Sequence, residues 1–157
     1  MRLRVILGLV FSFTFSWALI YFVVLGNTFT DFVNSIQGGV ESLETNLLII
    51  CLIQFSAYPL LFKGQFILLA VLVCTGLSVG LICIKNSASL IIVLVYSITT
   101  FMIPLIIFIA NGVDALLAVN NILFLFVGPS IIQIILNLLV FEAILILSAT
   151  IGAAIIK

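Results

Sequence analysis

Glu142 is the residue that most needs explaining. It lies twelve residues after Ser130 and fourteen before Ile156, in the middle of the longest apolar stretch of the chain. Placing an ionised side chain at the centre of a bilayer costs about 2.5 to 3.5 kcal/mol even on lenient insertion scales. At about 100° per residue, Ala149 and Ala153 fall within about 20° of Glu142, so it shares a face with small side chains that let another helix approach. Two uses follow for such a carboxyl: exchanging a proton, or staying neutral and donating one hydrogen bond between helices. The second is favoured, since proton relays need a chain of titratable groups and the sequence places almost none at this depth.

The nearest polar companions are Gln133 and Asn137, an i, i+4 pair on one helical face, with Ser148 returning to within about 20° of Asn137. Glu142 points roughly 140° from Asn137, so the last helix carries two polar or small faces and should be contacted on two sides. Gln54 and Tyr58 form a second i, i+4 pair, suited to hydrogen-bonding between helices or to lining a pathway. Close-packing signals accompany them: Gly76 and Gly80 in GxxxG spacing, and the small-residue pairs Ser12 with Ser16 and Ala149 with Ala153. Cys51, Cys74 and Cys83 all fall in apolar runs and read as buried small hydrophobes.

The composition dictates what must position these residues. Of 157 residues, 66% are hydrophobic and 6% charged, with five basic and five acidic residues and no histidine. A water-exposed domain needs roughly a quarter of its residues charged, so the solvent here is lipid. Without histidine there is neither a usual zinc site nor a histidine acid/base pair, and five basic residues at net charge zero offer no phosphate-neutralising stripe for nucleic acid. No nucleotide-binding or hydrolase motif occurs. The expectation is a protein without catalytic residues, metal or cofactor.

The chain therefore reads as an all-α, polytopic membrane bundle forming one domain over residues 1–157. Residues 5–25 are 21 residues without a charge, about 30 Å of helix and enough to cross once. Further spans are expected at 47–62, 65–84, 90–110 and 130–156. Lys63 and Gly64 would join the second and third as an antiparallel hairpin. Residues 26–46 hold Asp31, Glu41 and Glu44 and no basic residue. Phe29, Phe32, Val33, Ile36, Val40 and Leu43 recur there with helical spacing, interrupted at Gly38 and Gly39, which predicts a broken amphipathic segment at the interface, on a partner, or roofing the bundle itself. Lys85 to Ser89 read as a polar turn. Pro104 within the fourth span and Pro129 before the last predict kinks or a turn. Residues 113–127, with Asn120 and Asn121 at the centre, read equally as a sixth span or a re-entrant segment.

Counting positive charges with the N-terminus on the cytoplasmic side, five spans place Arg2, Arg4 and Lys63 inside against Lys85 and Lys157 outside, and six return Lys157 inside. Nine of the ten charged residues fall at span ends, turns or the polar loop; Glu142 alone lies mid-span. The functional expectation is a helical subunit or scaffold that assembles with other membrane proteins or with itself in the bilayer. The alternative is a small proton or ion pathway lined by Glu142, Asn137 and Gln133.

Overall fold

A computed structural model describes residues 2–55, 66–83, 85–114, 117–119 and 131–156, apart from a few side chains. Among the described residues every regular element is a helix. Helix α1, Arg2–Leu19, continues into a π-helical turn, Ile20–Val24. Its hydroxyls are turned back on its own carbonyls, Ser12 on Leu9 and Thr14 on Val10, as lipid requires of polar groups with no water nearby. Gly26, at φ +68°, lets the chain leave the helix in a conformation other residues rarely adopt.

Helix α2, Phe29–Gln37, is opened by a capping box. Thr28 Oγ1 accepts from the Asp31 amide, and the Asp31 carboxylate accepts from the Thr28 amide. Gly38 caps its end, and Gly39, at φ +83°, redirects the chain into α3, Val40–Phe55. The glycine break expected from sequence is present, but α3 starts at Val40 rather than 47. The acidic side chains of its first turns sit where the helix N-terminus favours negative charge. No residue of α2 is buried, and the helix meets the rest of the chain through Ser35, against Tyr21 and Asn46, and through Phe32, against Tyr21 and Phe22.

Helices α4, Phe66–Cys83, and α5, Asn86–Ala110, are joined by two residues. The expected polar turn at 85–89 is mostly the first turn of α5, with Ser89 buried and its hydroxyl donating to the Asn86 carbonyl. Helix α5 continues through Pro104, and its hydrogen-bonded C-terminus leads to Gly112 at φ +82°. Helix α6 is Ile131–Ile155. Among the described residues, four helical stretches are long and apolar enough to cross a membrane: Leu3–Val24, Phe66–Cys83, Asn86–Ala110 and Ile135–Ile155. Pro59, Tyr58, Lys63, Pro129 and most of residues 113–127 lie outside the described residues, as does the second half of the run 47–62.

Contacts fix the helix directions. A Cβ on Gly8, near the start of α1, would meet Cys83 Sγ at 3.2 Å, so α1 and α4 are antiparallel. Gly76 faces Leu145 and Ser148 while Gly80 faces Ala149 and Ala153, so α4 and α6 run parallel. The remaining helix, α3, begins where α5 ends, since Asn111 Nδ2 donates to Glu44 Oε2 at 3.2 Å, and it descends until Gln54 meets Tyr96. Thus α3 and α4 start at the same end and run the same way, and α3 packs on α5, α6 and the π-helical turn instead of α4. The described part of the run 47–62 runs parallel to α4 rather than against it as an antiparallel partner, and the joint expected at Lys63 and Gly64 lies outside the described residues.

Among the described residues, Arg2, Arg4 and Lys85 lie at one end of the bundle, and Asp31, Glu41, Glu44 and Asp114 at the other. This overturns the placement of Lys85 opposite the arginines. The core between the ends is built around Ile20, Leu72, Tyr96, Phe141 and Leu145, with a smaller cluster of Val79, Cys83, Ala88 and Ile92 at the basic end. Outward, Ile6, Ile106, Leu139 and Leu147 are each more than half exposed, the apolar surface that a lipid-solvated bundle presents.

Candidate functional site

The polar groups buried at mid-depth centre on α5. Tyr96 is fully enclosed, and its hydroxyl oxygen lies 2.7 Å from both Ser16 Oγ on α1 and Gln54 Oε1 on α3. One phenolic proton serves one acceptor, so the arrangement closes when Tyr96 donates to Gln54 and the Ser16 hydroxyl donates to Tyr96. Three helices are thereby tied at one point. The ring of Tyr96 is held between Phe13, with centroids 4.9 Å apart, and Phe141 on α6, at 6.5 Å and nearly parallel. Gln54 Nε2 has no hydrogen-bond partner among the described residues.

Glu142 is brought to the next residue of α5. Ser97 lies near its carboxyl, while the Ser97 hydroxyl donates to the Val93 carbonyl at 3.0 Å. Glu142 is only partly buried, while its Oε2 is shielded and has no partner among the described residues. The structure separates Glu142 from Asn137, which is fully buried. The Gln133 side chain lies outside the described residues.

The close-packing residues do meet. A Cβ on Gly76 would press on Ser148 Oγ and lie 2.9 Å from the Leu145 carbonyl oxygen. One on Gly80 would strike the Ala149 carbonyl and lie 2.6 Å from the Ala153 nitrogen. Gly152 in turn presses on the Leu77 backbone. Here α4 and α6 touch backbone to backbone, which only glycine permits. Ala149 and Ala153, both fully buried, form the α6 side of this contact together with Ser148. Hence the face that carries Glu142 near its middle is occupied by α4 at its basic end.

The expectation that all three cysteines are buried is corrected at one of them: Cys51 and Cys83 are buried, but Cys74 is exposed on α4. Among the described residues no cluster of three potential metal ligands occurs.

The sequence reading overlooked Tyr96. Its signal was present, since a tyrosine amid apolar residues must find a partner for its hydroxyl. Gln54 and Ser16 were identified, but nothing in their spacing pointed to each other, because they lie on different helices. Outside the long apolar helices, Asp31 is a titratable group with a clear perturbation. The Thr28 hydroxyl, and then the Thr28 amide, hold its carboxyl below the usual aspartate value. Compared with protein-family models, with curated proteins and with solved structures, the chain matches none.

Proposed function

We propose that this chain is a non-catalytic helical subunit that works by assembling with other membrane proteins or with copies of itself. Glu142 carries the reading. A carboxyl group midway along the longest apolar stretch, partly exposed on the flank of α6, is a costly group to leave against lipid. A neighbouring helix offering a donor removes that cost. The outward side chains around it, Leu138 and Leu139 on α6 and Leu94 and Ile98 on α5, supply an apolar rim for such a contact.

In this proposal α1, α4, α5 and α6 cross the bilayer, both ends of the chain lie on the basic side, and that side is cytoplasmic by the positive-inside rule. Helix α3 enters from the acidic side, and Gln54 lies at mid-depth. Mild-detergent solubilisation followed by particle-mass measurement tests the assembly. A particle larger than one chain is expected, retained by Glu142→Gln, which keeps polar atoms at the site, and dissociated by Glu142→Leu. A stable lone monomer for the unaltered protein would count decisively against the proposal.

A second reading is favoured by one arrangement: the Ser16, Tyr96 and Gln54 cluster and the Ser97 and Glu142 pair are on adjacent positions of α5 at the same depth. A proton pathway would use that carboxyl. Flux into liposomes that survives Glu142→Gln rules out its participation.

A further inference from the structure

Between the acidic-end half of α1, helix α2 and helix α3 lies a cavity of about 350 Å³. Trp17, Ala18, Phe22, Phe32, Leu47 and Ile50 form most of its wall. Water placed there would find few polar partners, so the cavity is not a water site. Left empty, it would forfeit the dispersion contacts of its lining. Ala18 and Phe22 are exposed and belong to the apolar stretch Leu3–Val24, so the opening faces hydrocarbon when α1 spans the bilayer.

At the rim the chemistry changes. Asn46 Nδ2 donates to Ser35 Oγ at 2.8 Å, Ser35 Oγ donates to the Asp31 carbonyl at 2.8 Å, and the Tyr21 hydroxyl lies 3.4 Å from Ser35 Oγ. A fixed polar cluster thus stands above an apolar slot, the order of groups along a glycerolipid from ester to tail. The segment 26–46, which supplies the polar rim, carries one sign of charge: it holds Asp31, Glu41 and Glu44 and no lysine or arginine. An anionic headgroup would be repelled.

We propose that this cavity holds one acyl chain of a bilayer glycerophospholipid whose headgroup has no net charge. The tail lies along Trp17 and Ile50, and the ester region meets Ser35 and Asn46.

The only tryptophan of the chain lines the cavity, and its fluorescence reports the occupant. The full-length protein is reconstituted in mixtures of unlabelled lipid with either phosphatidylcholine or phosphatidylglycerol brominated on the acyl chains. Expected is an apparent affinity about fivefold higher for the brominated phosphatidylcholine, the size of one unit-charge interaction at a membrane surface. Ala18→Phe, introduced at an exposed position, fills the cavity while leaving every acidic residue in place, and should abolish the preference. Quenching that tracks the mole fraction of brominated lipid equally for both headgroups would overturn the proposal without reference to any variant. A preference unchanged in Ala18→Phe would also overturn it, because it would then belong to the acidic surface and not to the cavity.

Discussion

Tyr96 and Gly80 show opposite ways in which single residues hold helices together without a hydrophobic driving force between them. Tyr96 does it with polar atoms, joining α1 and α3 to α5 through one hydroxyl. Interhelical hydrogen bonds in membranes contribute about 0.6 kcal/mol on average and about 1.7 at most. Tyr96→Phe should therefore cost about 1 to 2 kcal/mol, since it also leaves Gln54 without that contact. Thermal unfolding in detergent measures it, and a double-mutant cycle with Gln54→Leu should return most of the loss as coupling. Gly80 works by having no side chain. Gly80→Ala would drive a methyl group into the Ala149 carbonyl and toward the Ala153 nitrogen, backbone atoms that cannot rotate away. Gly76→Ala presses first on Ser148 Oγ, which can change rotamer. Overpacking costs about 1 to 3 kcal/mol, and the Gly80 variant should sit at or above the top of that range, with Gly76→Ala below it. Equal unfolding temperatures for the two variants would contradict the backbone contact described here.

The amphipathic stretch shows at the level of elements which signals survive from sequence to fold. Two adjacent glycines announce a break, and α2 ends and α3 begins around them. The start of α3 at Val40 was not legible, because Glu41 and Glu44 resemble a boundary when helix and bilayer are taken to end together. A helix that projects past the hydrocarbon carries acids in water at little cost. The capping box at Thr28 and Asp31 gives this region a pH dependence of definite sign. The Asp31 carboxyl is held below its ordinary value of 3.8 by the Thr28 hydroxyl and amide. Its contribution to α2 is therefore complete above that ordinary value and is lost as pH falls through the lower, folded value. Amide exchange of Asp31 and Phe32, referenced to amides in the middle of α3, should show α2 loosening as the medium is acidified below about pH 4. Asp31→Asn should remove this acid-dependent step, and a step that persists in that variant would assign it elsewhere.

The helical, apolar character of the molecule was legible from composition and run length, and four of the five expected spans correspond to described helices long and apolar enough to cross a membrane. Direction was not, because an apolar run has no arrow. Lys63 and Gly64 suggested a hairpin, whereas the parallel courses of α3 and α4 come from contacts between distant residues: Glu44 with Asn111, Gln54 with Tyr96, and Gly8 with Cys83. The difference is decisive for topology. A hairpin of 47–62 and 65–84 places Lys85 on the same side of the membrane as the acidic segment, while the packed arrangement places it opposite. Single cysteines at exposed positions separate the two on a background with Cys51, Cys74 and Cys83 replaced by alanine. In intact cells a membrane-impermeant maleimide should label Gln37→Cys and leave Ser87→Cys unlabelled until the membrane is permeabilised. Both positions are exposed and flank the segments in question, so labelling depends on side alone. Labelling of both from outside would restore the hairpin and place Lys85 against the positive-inside rule. Protection of Ser87→Cys would establish that the arginines of α1 and Lys85 share the cytoplasmic face, with α3 entering the bilayer from the opposite surface.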